Sequence, residues 1–314
     1  MLIRTDNRYY EPVTDIAIKM ALEIENTMNY LAAYKELTAQ EIQAANRLNK
    51  KLGQLFEGVF DETLSRFDEL STVPSTATQR KRIIQAIANM GDDYKNIAAE
   101  EAVNSARRGY KKEVLALRSI GLEIFKEEIT DHVIDLIKNH SFIASDHTKT
   151  RITGNVMENL AKSYEEGLGI KEARERLAAE FVDMKTHQLN TIARTETICL
   201  QNEGQFQAKV ENHVEYHQWW TGQDERVRGN PSGLYPDSEA DHWELHGQIV
   251  KVGEPFSNGL KYPGDRSGGS ATIKEWINCR CAELDFYMPE GYTAPIGKTY
   301  FYEEDLIKKE ENNS

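Results

Sequence analysis

Two histidines and two cysteines in the last third of the sequence have the residue types of a metal site. His242 and His246 are four residues apart, so on a helical turn both imidazoles would lie on one face. Cys279 and Cys281 form a Cys-x-Cys pair, and imidazole nitrogens and thiolates are common zinc ligands. We therefore treat these four residues as a candidate tetrahedral zinc site.

A second interpretation leaves the same residues without a metal. Cys-x-Cys differs from the common zinc knuckle, in which two residues separate the cysteines. A small cysteine is often part of a buried core, and His242 could cap a turn or pack against its neighbours. The chain has 3 cysteines, an odd number that fits a reducing compartment and disfavours a Cys279–Cys281 disulfide.

Carboxylates and histidines in the same region could also support catalysis. Glu196, Asp224, His242 and His246 are the groups that could activate water, with or without a metal. The alternative function is therefore a metal-dependent hydrolase or transferase acting on nucleic acid or nucleotide. The sequence has no Gly-x-Ser-x-Gly, P-loop, His-Glu-x-x-His or Gly-x-Gly-x-x-Gly pattern. We assign no catalytic residue and expect that the protein is not an enzyme.

A structural role accounts for more of the polar residues around these groups. Arg194 and Glu196 lie in a predicted helix, and arginine is suited to bidentate contacts with carboxylates. Both could pair with charged residues of the following turn, which are Asp224, Arg226 and Arg228. Asn278 and Gly247 are residue types that hold turns. These contacts would fix the geometry of the loops rather than carry out a reaction.

Glycine and proline divide the sequence into two parts that would position these residues. Residues 1–182 contain 2 prolines and 8 glycines, whereas residues 183–314 contain 6 prolines, 12 glycines and all 4 tryptophans. Because glycine and proline are poor in helix interiors, the first part is predicted to be helical and the second mixed. The expected fold class is α+β, with a long N-terminal helical bundle or arm (1–182), a compact, loop-rich C-terminal domain (183–290) and an acidic tail (291–314).

Apolar periodicity and capping patterns set the expected elements within this plan. A capping-box pattern at Thr38 would open a helix running to about Leu70, and a break is expected at residues 71–76. Further helices are predicted at about 77–108, 111–139, 147–166 and 171–182. In the second part we expect strands near 213–220, 248–252 and 282–287, a helical turn at 241–247, and a frayed end from residue 303.

Composition excludes several classes of protein. With 38 basic and 51 acidic residues the net charge is -13, so a global electrostatic grip on duplex DNA is not expected. Local basic clusters such as residues 80–82 could still touch phosphate, although solvated helix faces are the simpler interpretation. No apolar run approaches the roughly 18 residues of a membrane helix, and no secretory leader is expected.

The motifs from residue 193 to residue 281 together resemble a known family. The matching positions are 193–196, 202, 220, 224–228, 242, 245–247, 255–256, 263–265 and 278–281. In order and spacing they are similar to the phage Mu protein F-like minor head proteins, also called phage head morphogenesis proteins, over roughly residues 185–285. One departure is the segment 229–240, which is longer than in the shorter family members and resembles an inserted surface loop.

The resemblance implies a virion protein of a tailed bacteriophage or prophage, present in few copies. Such a minor capsid protein would be made late, in the host cytoplasm, and would lie inside the head or at the portal vertex. It would act in head assembly, DNA packaging or genome delivery, with the portal protein, the major capsid protein or a scaffolding protein as partners. Direct contact with packaged DNA would also be compatible with this role. The resemblance implies no catalytic residue.

Overall fold

The chain folds into two compact units, neither of which is continuous in sequence. The computed structural model describes residues 15–267 and 273–309, with side chains from residue 39 onward and excluding residue 273. Glu41–Ser105 and Thr130–Thr197 form one unit, called here the helical unit. The other, called the sheet unit, consists of Ala106–Ile129 together with the described residues up to Gln40 and from Ile198 onward.

Helices dominate the described residues before residue 212, which confirms the α part of the predicted α+β class. They are α1 Asp15–Asp68, α2 Ala77–Ile83, α3 Gln85–Asn89, α4 Gly91–Ser119, α5 Asp131–Glu165, α6 Ile170–Asp183 and α7 Leu189–Glu211. A π-helical turn, Met184–Gln188, joins α6 to α7. None of the helices in the described ranges has an apolar stretch long enough to cross a membrane.

One apolar core holds the helical unit together. Leu48, Leu52 and Phe56 recur at helical spacing on α1 and are at most 2% exposed. Further along α1, the Phe60 ring stacks on Phe181 of α6 at a centroid distance of 4.0 Å. The expected break after α1 is confirmed, and Thr76 begins α2 with a capping box completed by Gln79.

Several predicted helix boundaries are wrong. The helix predicted at 77–108 is divided among α2, α3 and α4, and the one predicted at 111–139 is interrupted at residues 120–130, which are not helical. Thr38 lies inside α1, because no glycine or proline interrupts the chain between Pro12 and Gly53. The break expected near residue 110 is absent, since α4 continues to Ser119. The gap expected at 140–146 lies within α5, where Ser141 and Ser145 are buried on the packed face.

Glycine allows α4 and α7 to approach closely within the sheet unit. A Cβ atom added at Gly204 would collide with the backbone carbonyl group of Ala106, and one added at Gly109 would collide with that of Gln201. Both glycines are therefore helix residues that permit backbone contact, not helix ends. This contact explains why Gly109 does not end α4.

A small antiparallel sheet supplies the β part of the fold. Its strands are β1 Tyr216–Trp220, β2 Ile249–Lys251 and β3 Ala282–Phe286, in the order β2-β1-β3. These are the three predicted strands. In the register, His217 lies opposite Val250 on one side and Asp285 on the other. The single turn of helix α8, Ile273–Trp276, precedes β3.

The segment after β3 is ordered against the sheet. Strands β4 Tyr292–Thr293 and β5 Ile307–Lys308 pair with each other, and a 3-10 turn, Glu303–Asp305, precedes β5. Phe301 is buried and exchanges two backbone hydrogen bonds with Ile249, of 2.7 and 3.0 Å. The frayed end expected from residue 303 is therefore wrong for residues 303–309, whereas residues 310–314 lie outside the described ranges.

Candidate functional site

Three of the four predicted metal ligands come together in the sheet unit. The ligand atoms of His242, Cys279 and Cys281 all lie within 4.8 Å of one another. The His242 Nδ1 atom is 3.6 Å from the Cys279 sulfur and 3.4 Å from the Cys281 sulfur. These residues are only 2%, 3% and 5% exposed, and both cysteines are free thiols. The arrangement is a buried His/Cys/Cys cluster.

Backbone hydrogen bonds and an unusual turn position the cluster. The backbone amide of His242 donates to the Arg228 carbonyl at 3.1 Å, which fixes the start of the 241–247 segment. The Cys279 amide donates to the Trp276 carbonyl at 3.2 Å, at the end of α8. Asn278, which lies between Trp276 and Cys279, has a φ of 53°, a left-handed conformation that asparagine tolerates better than most residues. The turn brings both sulfurs to the same side as His242.

His246 does not join the cluster. The predicted helical turn at 241–247 is wrong: the segment forms non-helical turns, so residues four apart do not share a face. The His246 Nδ1 atom instead accepts a hydrogen bond from the Thr221 amide at 3.2 Å, and its ring lies 4.4 Å from the Trp220 ring. Burial lowers the pKa of His246.

The far side of the His242 ring faces a carboxylate. The Glu275 Oε2 atom is 3.2 Å from the His242 Nε2 atom, and Asn258 donates its amide to the same oxygen at 3.2 Å. The Arg228 side chain donates to the Glu275 carbonyl at 2.8 Å and lies 3.3 Å from the His242 Nε2 atom. The ring therefore has thiols on its Nδ1 side and a hydrogen-bonded carboxylate on its Nε2 side.

Burial and mutual contact shift the pKa values within the cluster. Burial acts to lower the pKa of His242. The charge of Cys279 and the hydrogen bonds of His242 with Cys279 and Glu275 outweigh burial and raise the pKa overall. The hydrogen bond from Cys281 holds the pKa of Cys279 well below the usual value, whereas the same contact and burial raise that of Cys281. The electrostatics therefore favour at least one thiolate beside the histidine.

An apolar wall encloses the two cysteines. Trp219 is fully buried, its ring lies edge-on to His242 at 5.4 Å, and its core neighbours include Leu245 and Phe256. The buried Trp219 Nε1 atom has no hydrogen-bond partner among the described residues. The contact with Cys279 and burial raise the pKa of Cys281 overall, and the neighbouring Trp219 acts in the opposite direction.

The other predicted structural residues hold the loops around the cluster. Asp224 pairs with Arg226 and also with Arg280 at 2.6 Å, and the Arg280 contact lowers the pKa of Asp224. Arg228 donates to the backbone carbonyls of residues 274 and 275. Gly247 has a φ of 82°, which favours glycine.

Arg194 and Glu196 both lie on α7 in the helical unit. Arg194 is exposed and Glu196 is buried. Their predicted pairing with the turn at 224–228 stays a prediction.

Sequence reasoning did not select several residues that support the site. Asn202 of α7 donates to the carbonyls of Pro263 and Cys281, at 2.9 Å in both cases. In the sequence, Asn202 is marked only as a position of the family motif. Glu275 and Arg280 lie close to the Cys-x-Cys pair in sequence, and their charge is the one sequence feature that could have indicated a role beside the cysteines. The roles of these residues follow only from the folded loops.

A second buried polar group lies elsewhere in the sheet unit. Lys209 of α7 pairs with Glu113 of α4 at 2.7 Å and also with Asp285 of β3. Tyr287 donates to Asp285 at 3.1 Å. Burial and the neighbouring Asp285 raise the pKa of Glu113 to about 8. No local pattern predicted this cluster, because its members are far apart in sequence.

Comparison with known proteins identifies the region that contains the site. Residues 154–284 match the family model of phage Mu protein F like protein. No curated protein and no solved structure gives a significant match. The matched region begins within α5, earlier than the motifs alone indicated. It includes the strands β1 and β2, the first three residues of β3 and the His/Cys/Cys cluster. Over residues 154–284, the match confirms the resemblance to the phage Mu protein F-like head morphogenesis proteins.

Proposed function

We propose that this chain is a minor head protein of a tailed bacteriophage or prophage, bound at the portal vertex. In this role it acts in head assembly, DNA packaging or genome delivery. The observation that carries the proposal is the family match over residues 154–284, which suggests a head morphogenesis protein and other phage head proteins as partners. The portal protein is the partner we favour, with the major capsid protein or a scaffolding protein as further contacts.

Exposed apolar side chains in the sheet unit support a protein partner. Leu122, Phe125 and Val210 are 42%, 54% and 41% exposed, and we call them the apolar patch. The backbone amide of Phe125 donates to the Asn212 side chain at 2.8 Å, and the Phe125 ring lies 5.0 Å from the ring of His213. Both partners lie two or three residues after Val210 in the chain. Exposed apolar surface is a common feature of protein interaction sites, and we propose these three side chains as part of the contact.

Charge favours a protein surface over DNA as the main contact. The net charge of -13 opposes binding to phosphates at long range. In the basic cluster at residues 80–82, the Arg80 side chain already donates to the carbonyls of Pro74 and Ser75, at 3.2 Å in both cases. Contact with packaged DNA is therefore a secondary part of the proposal.

A structural role also accounts for the groups considered for catalysis. Asp224 pairs with arginines, His242 lies against cysteines and Glu275, and His246 accepts a hydrogen bond from Thr221. These three side chains thus have separate partners instead of facing one substrate. The family suggests a structural protein, and we propose no reaction for this chain.

Counting the protein in purified heads tests the proposal. Quantitative mass spectrometry of heads from the source phage should give a few copies of this chain per particle, measured against the major capsid protein. Cross-linking in the same heads should join it to the portal protein. Absence from both mature heads and assembly intermediates would contradict a virion role, whereas cross-links only to the major capsid protein would contradict the portal assignment.

Substitutions in the apolar patch test how the chain docks. Leu122→Ser with Phe125→Ser should reduce the copies per head without changing the melting temperature, since both side chains are largely exposed. Leu234→Ser, at a residue 57% exposed in the 229–240 loop, is the matched control and should incorporate normally. Deleting the chain up to about Leu70 would not test docking, because the deletion removes α1 residues that belong to the core of the helical unit.

A further inference from the structure

We propose that His242, Cys279 and Cys281 bind one zinc ion that stabilises the sheet unit. The ligand atoms are the Nδ1 atom of His242 and the two sulfur atoms. The inference goes beyond head morphogenesis, and it holds or fails independently of that function. It also revises the set expected from sequence, because His246 is held by Thr221 outside the cluster.

The two nitrogen–sulfur distances in the cluster are close to those of a tetrahedral zinc site, and all three ligand atoms lie within 4.8 Å of one another. With Zn–S bonds of about 2.3 Å and Zn–N bonds of about 2.05 Å, tetrahedral angles place nitrogen and sulfur about 3.6 Å apart. The observed Nδ1–sulfur distances are 3.6 Å for Cys279 and 3.4 Å for Cys281. A zinc ion therefore fits between the three atoms with little movement of the backbone.

The second nitrogen of His242 supports the same assignment. The Nε2 atom lies 3.2 Å from Glu275, so its N–H can donate to the carboxylate and leave the Nδ1 lone pair facing the sulfurs. Metal-binding histidines commonly have such a carboxylate behind the ring, which orients the ring and makes it a stronger ligand. Asn258 in turn holds Glu275 at 3.2 Å.

The surroundings of the sulfurs suit thiolates. Trp219 lies in the same core cluster as both cysteines, and its buried Nε1–H has no hydrogen-bond partner among the described residues, so this donor is available to a thiolate. When zinc binds, each thiol releases its proton to solvent as the Zn–S bond forms, so two thiolate charges balance the charge of Zn²⁺. A neutral site of this kind is compatible with burial in an apolar core.

Burial indicates a structural rather than a catalytic metal. The three ligands are at most 5% exposed, which leaves no access for a polymeric substrate. The ion would join the turn at His242 to the Cys-x-Cys segment before β3, which is 37 to 39 residues away in sequence. The fourth position of the tetrahedron falls to a water molecule or another small ligand.

Metal content and cobalt substitution test the site on the full chain. Protein purified without chelators should contain one zinc per chain by elemental analysis. Replacement by Co²⁺ should give the intense visible bands of tetrahedral cobalt and a thiolate-to-cobalt charge-transfer band. Chelation should lower the melting temperature by about 10 °C, because a tightly bound ligand stabilises the folded state by mass action.

Two pairs of variants assign the ligands. Cys279→Ser and His242→Gln should lose the zinc, whereas the matched controls Cys199→Ser and His246→Gln should keep it. If the ligand variants do not fold, the cobalt spectrum of the wild-type chain decides. A folded wild-type chain that takes up neither zinc nor cobalt, and that melts at the same temperature with and without chelator, would overturn the proposal. Loss of zinc in His246→Gln but not in His242→Gln would overturn the ligand set.

Discussion

Replacing Gly204 by alanine should destabilise the sheet unit, although alanine is the better helix former. In an open helix position this change gains about 1 kcal/mol in the free energy of unfolding. At Gly204 the new Cβ would lie only 2.7 Å from the Cα atom of Ala106 and closer still to its carbonyl oxygen. Carbon atoms prefer about 3.5–4.0 Å, so α4 and α7 would have to separate by about 1 Å.

The size of the loss follows from overpacking. Crowding a packed interior costs typically about 1–3 kcal/mol, and a backbone contact that cannot rotate away belongs at the upper end. After the helix-propensity gain is subtracted, the net loss is about 2 kcal/mol. For a unit of more than about 150 residues, such as the sheet unit, each kcal/mol lost lowers the melting temperature by about 2–4 °C. The melting temperature of Gly204→Ala should therefore fall by about 6 °C.

Gly58 provides the matched control for this experiment. It lies in α1, is exposed, and an added Cβ would meet nothing within 4 Å, so Gly58→Ala should raise stability by up to about 1 kcal/mol. Far-UV circular dichroism follows both units, and tryptophan fluorescence follows the sheet unit, which contains all 4 tryptophans. If Gly204→Ala stabilises the protein as Gly58→Ala does, the close contact of α4 and α7 is wrong.

Three further substitutions probe the buried polar groups of the sheet unit. Asn202→Ala leaves two buried carbonyls without their donor and should cost about 3 kcal/mol in urea unfolding; a loss below about 1 kcal/mol would contradict these contacts. Lys209→Met leaves Glu113 and Asp285 facing each other and should lower stability by about 3–5 kcal/mol at pH 8, and an unchanged midpoint would argue against the buried pairs. The folded-state pKa of Glu113 is raised from 4.5 to about 8, so its protonation stabilises the fold below pH 4.5 and this contribution is lost as the pH rises to 8. Glu113→Gln should therefore flatten the decline in stability between pH 5 and pH 8, which urea unfolding at several pH values will check.

The sequence predicts best where the determining interactions are local. The α+β class, the break before Thr76 and the three strands of the sheet follow from capping residues, alternation and the distribution of glycine and proline. For these features the signal lies within a few residues of the feature. The family motif spans residues 193–281, but its residue types and spacings are visible in the sequence itself, and the family match confirms the resemblance.

Prediction fails where distant segments decide the outcome. Gly109 has the residue type of a helix end, but its conformation depends on Gln201 of α7, 92 positions later. The spacing of His242 and His246 suggests a shared helix face, and only the non-helical turns show that the two rings point to different partners. The buried Glu113–Lys209 pair has no sequence signal, because neither residue has a local partner that marks it as buried.

The discontinuous sheet unit has a consequence for synthesis of the protein. Glu113 and Lys209 are 96 residues apart, Phe125 and Asn212 are 87 apart, and Lys209 and Asp285 are 76 apart. A ribosome adding about 5–20 residues per second thus releases α4 several seconds before its partners. During this interval the buried faces of α4 have no native cover, and slow, non-local closure of this kind exposes a chain to aggregation. Expression yield should therefore depend on chaperone supply and on translation rate beyond residue 120.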